Sequence, residues 1–399
     1  MIKRPVPRMR VQLAVLTLSR FLLNSALRMT YPFLPALARG LGVTLGAVAQ
    51  LVALRALVGF VSPLFSPLSE RFGRRLILMG AILLFSLGCL VVAVWPAYWT
   101  LGLAMVAVGV AKVVYDPAMQ SYLGDVVAYN QRGKALAITE FAWAGALLVS
   151  APIIGWIMAR QGWHAPFLWL GLLGLGSMLL LWRLLPPGHV DSTRAASLPA
   201  VLRVIRDHSV IWAVALYVFL AMMANEILFI VYGDWMERSF GLSLTNLGLA
   251  SGVIGGAEIV GELLAGGTVD RFGKRPVVIT AGLLACLLYV LIPYTSFNLT
   301  AALITLFGVF LAFELTFVGS IPLLTEVVPT ARSVVLSVAL AAGSLGRMLG
   351  ALVGPVLWRQ LGLTGNTVAG SLLTLLAILI LARWVRESPV IHYPVTGES

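Results

Sequence analysis

Twelve stretches of this chain are each apolar over the length that crosses a bilayer of roughly 30 Å, about twenty residues apiece. Their limits fall near 11–37, 44–68, 75–95, 98–124, 134–158, 163–185, 209–235, 243–268, 275–295, 298–325, 333–358 and 364–385. Lipid offers the backbone no hydrogen-bond partners, and the runs are far longer than barrel strands, so they read as helices. A charged content of 11% over 399 residues agrees with an all-α membrane protein and excludes a soluble one.

A net charge of +12 would suit a nucleic-acid partner if it formed one patch. The cations instead sit between the spans, so no nucleic acid is expected. With both termini and alternate loops on one side, that side holds 19 of the 28 Lys and Arg, among them Arg8, Arg75, Arg132, Arg203, Arg332 and Arg383. The other side holds Arg39, Arg160, Arg238 and Arg359. Positive residues stay inside, which places both termini in the cytoplasm of a multi-pass cell-membrane protein. The run from Val11 continues past a normal signal core and is read as the first helix. Cys89 and Cys286 fall within apolar spans, where packing is the expected role. There is no nucleotide-binding loop and no metal-ligand cluster, and the four His are scattered. Neither an enzyme, a cofactor nor a metal is expected.

The chain repeats itself. SERFGRRL at 69–76 returns as VDRFGKRP at 269–276. Tyr31 returns as Tyr232, Asp125 and Arg132 as Glu326 and Arg332, and Arg160-Gln161 as Arg359-Gln360, all offset by about 200. Several matches at one offset indicate an internal duplication. The expected units are residues 1–185 and 209–399, joined by a cytoplasmic linker at 186–208 that carries a short amphipathic helix from Leu198 to Ile205.

Ser66 to Arg75 resembles the loop signature G-x-L-x-D-R-x-G-R-R of the major facilitator superfamily, and Gly266 to Arg275 resembles its second copy. The resemblance covers the whole chain and implies two pseudo-symmetric six-helix bundles, with substrate held between them near the midplane. In the first copy Ser66 stands for the leading glycine and Glu70 for the aspartate. The resemblance also implies a cytoplasmic gate of Glu70, Arg71, Arg74 and Asp125, with Asp270, Arg271, Lys274 and Glu326 as its counterpart. Gly73 and Gly273 would supply the tight turns. The alternative is that these cations only fix topology. LLVSAPIIGW, with Pro152 and Gly155, and Gly350 to Pro355 resemble an element of twelve-helix drug:proton antiporters, although small-residue helix packing explains them equally.

Ionisable groups inside spans are costly and are functional candidates by default. Arg20, Asn24 and Arg28 recur every four residues in the first span, as do Lys112, Asp116 and Gln120 in the fourth, beside Tyr115. The second half contributes Asn225, Glu226, Glu258, Glu262, Glu314 and the cation Arg347. By resemblance the first, fourth, seventh and tenth helices line the cavity, making Arg20, Asn24, Arg28, Lys112, Tyr115, Asp116, Asn225, Glu226, Glu314 and Arg347 substrate-cavity candidates. Lys112 and Asp116, one turn apart, either satisfy each other or belong to the site. Glu226 and Glu314 have no neighbouring cation in sequence and suit proton coupling, with Asp116 as a third candidate. Glu258 and Glu262 are like charges one turn apart, Glu140 and Glu262 are assigned to the gate region, and Arg55 has no nameable partner.

The expected function is a monomeric secondary transporter of alternating access, exporting small amphipathic or hydrophobic organic compounds against protons. A rival uses Arg20, Arg28 and Lys112 to bind an organic anion or anionic lipid. A third reading is a membrane sensor that moves nothing.

Overall fold

The computed structural model describes residues 9–60, 72–186 and 198–385, nearly all of them helical. The spans are numbered α1 to α12. α1 is Met9–Arg28 continued by Thr30–Leu41, α2 is Leu45–Phe60 over its described part, α3 is Arg74–Val94 and α4 is Tyr98–Val126. α5 runs from Tyr129–Gly145 through a π turn, Ala146–Ser150, into Ala151–Gln161, and α6 is Ala165–Leu184. α7 is Val210–Phe229 continued by Tyr232–Phe240, followed by α8 (Leu244–Phe272), α9 (Lys274–Thr295) and α10 (Leu299–Glu326). Arg332–Trp384 is broken at Gly362 (φ 62°, ψ −157°) into α11 and α12. Ahead of α7 lies the linker helix Leu198–Asp207, two residues longer than the sequence pattern predicts.

The duplication is visible in backbone detail. α1 breaks at Met29 and α7 at Ile230 and Val231, just ahead of Tyr31 and within one residue of Tyr232. In a bilayer each break frees carbonyls that need other donors. At the first, the carbonyl of Leu27 accepts from Arg55 (2.6 Å) and from the Thr30 hydroxyl (2.7 Å). At the second, the carbonyl of Ile227 accepts from the buried Asn366 amide (2.7 Å). Arg55, which has no evident partner in the sequence, thus serves the α1 break.

Gly73 (φ 81°, ψ 139°) and Gly273 (φ 87°, ψ 143°) hold the same left-handed turn, which a side chain would strain. Beyond each turn the following cations fasten helices of the same half. Arg74 ion-pairs with Asp125, tying α3 to α4, and Lys274 pairs with Glu326 at 2.5 Å, tying α9 to α10. Arg75 donates to the carbonyl of Trp182 on α6, and Arg275 to that of Ala382 on α12.

The halves meet where α1 touches α7, α2 touches α11 and α5 touches α8. Backbones come very close at these contacts. A Cβ on Gly155 would lie 2.3 Å from the carbonyl oxygen of Leu244, and one on Gly248 would lie 2.5 Å from that of Ala151. The fifth-span element therefore faces the other half. Its eleventh-span relative does not: Gly346, Gly350 and Gly354 pack on α7 within their own half.

Candidate functional site

At the centre of the two bundles is a cavity of about 70 Å³. Its polar wall is Arg28, Asn225, Glu258, Glu314 and Arg347, and its aromatic wall is Trp143, Phe229, Phe313 and Phe317. α1, α7 and α10 contribute as the resemblance implies. α4 contributes none of these residues, and α5, α8 and α11 contribute in its place.

Arg28 and Glu258 pair across the halves at this cavity. The guanidinium reaches both carboxylate oxygens, at 2.5 and 2.6 Å, donates to the carbonyl of Trp143 (3.1 Å) and lies 4.4 Å above that indole ring. The planar fork matches a carboxylate with two parallel bonds, and the ring face attracts the cation. Glu258 and Glu262 are like charges one turn apart on α8, as the sequence indicates, and the fold adds a cation from α1 that meets Glu258 across the halves. Glu262 is half-buried on α8, one turn beyond.

A second cluster sits within the first half. Asp116 is shared by Arg20 (3.1 Å) and Lys112 (2.7 Å), and Arg20 also pairs with Glu140 (2.9 Å). The Lys112–Asp116 pair is thus real but not isolated. Glu140 belongs to this cluster rather than to the loop pairs. Tyr115 is fully buried and donates to the carbonyl of Leu16 (2.9 Å), so it is a packing residue outside the cavity wall. Asn24 is also fully buried and away from that wall, with neither amide atom hydrogen-bonded among the described residues.

A third cluster joins α1, α2, α7 and α11. Glu226 accepts from the Tyr31 hydroxyl (3.2 Å), has Arg347 at 3.8 Å and leaves its other oxygen without a hydrogen bond among the described residues. Arg55 in turn donates to the Tyr31 hydroxyl (3.2 Å) and the Thr30 hydroxyl (2.9 Å). The absence of a cation near Glu226 in sequence is thus corrected by the fold. Glu314 differs: it is buried at the cavity wall and makes no ion pair or hydrogen bond among the described residues.

Away from the termini, the cavity is closed by the second limbs of α1 and α7. Tyr31 stacks on Phe229 (centroids 3.9 Å, planes 10° apart), and Gly233 rides against the carbonyl of Pro32. Arg39 pairs with Glu237 (2.9 Å), and Asp234 accepts from the Trp358 indole (2.6 Å) and Arg238 (2.8 Å).

Of the loop residues, Glu70 and Arg71 lie outside the described residues. Arg74–Asp125 and Lys274–Glu326 are formed, but each pair joins two helices of one half, so neither bridges the halves as a gate would. Asp270 is exposed, and Arg271 lies over the neighbouring Phe272 ring (5.2 Å).

The aromatic wall escaped the sequence reading because Trp and Phe in a span ordinarily face lipid or packing. Phe313 and Phe317, one turn apart and astride Glu314, were the available signal.

The arrangement has known relatives. The tetracycline resistance protein, class C, of Escherichia coli is 26% identical over 279 residues, covering 66% of this chain and 69% of that protein. The quinolone resistance protein NorA of Staphylococcus aureus is 28% identical over 177 residues, covering 43% and 44%. Among solved structures, a bacterial homologue of the human lysosomal transporter Spinster superposes with a TM-score of 0.77 at 17% identity, covering 97% of this chain and 100% of that one. A D-xylose–proton symporter superposes with a TM-score of 0.75 at 20% identity, covering 95% and 98%. The profile of the Major Facilitator Superfamily matches residues 16–231 and again 214–398. With two matches that together span nearly the whole chain, laid over twelve spans in two six-helix bundles, this protein belongs to that superfamily of multi-pass membrane transporters and is not an enzyme.

Proposed function

We propose that the chain is a proton-coupled exporter of small amphipathic organic compounds, cations foremost, working by alternating access in the cell membrane with both termini cytoplasmic. The carrying observation is Glu314: a carboxyl with no ion pair or hydrogen bond among the described residues, in a cavity that it shares with four aromatic rings as well as with Arg28, Asn225, Glu258 and Arg347. Such a pocket suits a ligand with an apolar body and a positive charge. The same carboxyl can exchange a proton for that cation, since one site holding either but not both is the basis of antiport. Glu226 is the second candidate carrier. Asp116 suits the task less, being held by two cations. The names of the tetracycline and quinolone resistance relatives support the export direction. The units 1–185 and 209–399 would rock about the linker at 186–208 as a monomer.

The anion reading has less support, because Arg20, Arg28 and Lys112 each already hold a carboxylate. The test is flux in liposomes under an imposed pH gradient. A lipophilic cation should move against the proton flow, and Glu314→Gln should uncouple the two. Coupled movement of an organic anion, or coupling intact in Glu314→Gln, overturns the assignment.

A further inference from the structure

We propose that Arg28 is a tethered stand-in for the transported cation: in the empty carrier it occupies the carboxylate and ring face that a substrate cation must take from it. The inference rests on the cation-export reading above and assigns one residue as the internal competitor within that site.

The geometry is that of a bound ligand. A planar cation lies 4.4 Å over the Trp143 ring and 5.8 Å from the Phe229 ring, and both its terminal nitrogens are seated on Glu258 at 2.5 and 2.6 Å. A carboxylate between aromatic faces is a general recognition site for organic cations. The guanidinium comes from α1 and its seat from α8, so filling the seat from within also fastens one half to the other. Yet the pair is not sealed in a helix–helix seam, for both residues border the cavity. The Nε of Arg28 has no acceptor among the described residues. The other cations nearby are not equivalent. Arg347 is 3.8 Å from its carboxylate, and Lys112 meets the Trp143 ring at 5.4 Å while bound to Asp116.

A site already occupied by its own side chain binds an external ligand more weakly by the fraction of time it is vacant. Removing the occupant must therefore tighten binding of a cation, whereas removing a residue that contacts the substrate must weaken it. The sign of the change decides between the two roles.

Tetraphenylphosphonium binding to the purified full-length protein in detergent, followed by calorimetry, reads that sign. Arg28→Gln should bind the probe at least about tenfold more tightly than the parent protein, a modest fraction of what close charge pairs can be worth. Arg28→Lys keeps the charge but loses the fork, and should tighten binding to a lesser degree. It carries the test with the same sign if the glutamine variant lacks a cooperative melt. In Arg28→Gln with Glu258→Gln the gain should vanish. Equal or weaker binding in the Arg28 variants, with the parent binding the cation, overturns this inference and leaves the export reading standing. If the parent and the variants all ignore the cation and the parent binds an organic anion such as benzoate, the export reading itself is wrong.

Discussion

A methyl group at Gly233 should hold the transporter open on the side away from its termini. The Cβ of alanine there would lie 2.1 Å from the carbonyl oxygen of Pro32, and it would lie 2.8 Å from that of Tyr31. Ordinary contact begins near 3.4 Å, so the second limbs of α1 and α7 would have to part by about 1.3 Å. The colliding atoms are backbone, and no rotamer change relieves them. Overpacking of this kind costs about 1–3 kcal/mol. Applied to one conformation only, that shifts the balance about 5- to 150-fold toward the arrangement in which the limbs are apart. The readout is alkylation of a cysteine at Ala38, a position 5% exposed in the second limb of α1, by a membrane-impermeant maleimide. The background would carry Cys89→Ala and Cys286→Ala. Gly233→Ala should label at least about fivefold faster than its parent, with flux reduced. Gly256→Ala is the control, because its methyl meets only a Phe307 ring carbon at 4.0 Å. Labelling at the parental rate with flux intact refutes the claim that this contact closes the far side.

Asp116→Asn leaves Arg20 and Lys112 facing each other with Glu140 alone for compensation, and should destabilise the protein by about 3 kcal/mol or more. A lower melting point in detergent checks this, and adding Lys112→Met should recover part of the loss. Lys274→Ala and Arg74→Ala each remove a pair that fastens one half to itself. Both should lower the melting point while leaving Ala38 alkylation within about twofold of the parent, since each of these two ion pairs joins helices of one half and surface pairs contribute about 1 kcal/mol or less.

The number of spans, their pairing into halves and the loop turns were legible because apolar length and a fixed repeat offset are properties of the chain itself. Gly73 and Gly273 are an example: a glycine at the same place in both copies marks a backbone need, and both adopt positive φ. Arg55 shows the opposite. Its acceptor is a carbonyl released by the break in α1, and a broken helix leaves no donor or acceptor signature in the sequence. Glu258 was visible as a buried acid, but its partner lies 230 residues away in the other half, where neither periodicity nor the repeat offset points. The loop pairs were legible as pairs. That they close each half upon itself depends on which helices the turns bring together, and charge pattern alone cannot distinguish this from a bridge.

The two arginine clamps bear on how the chain is made. Arg75 meets the end of α6 and Arg275 the end of α12, each across 107 residues. Each clamp encloses the last four helices of its own half and nothing beyond. During synthesis the first bundle can therefore complete its fastening as α6 enters the bilayer, before α7 has left the ribosome, consistent with units that fold in order of translation. The second bundle then repeats the same closing step against a finished neighbour.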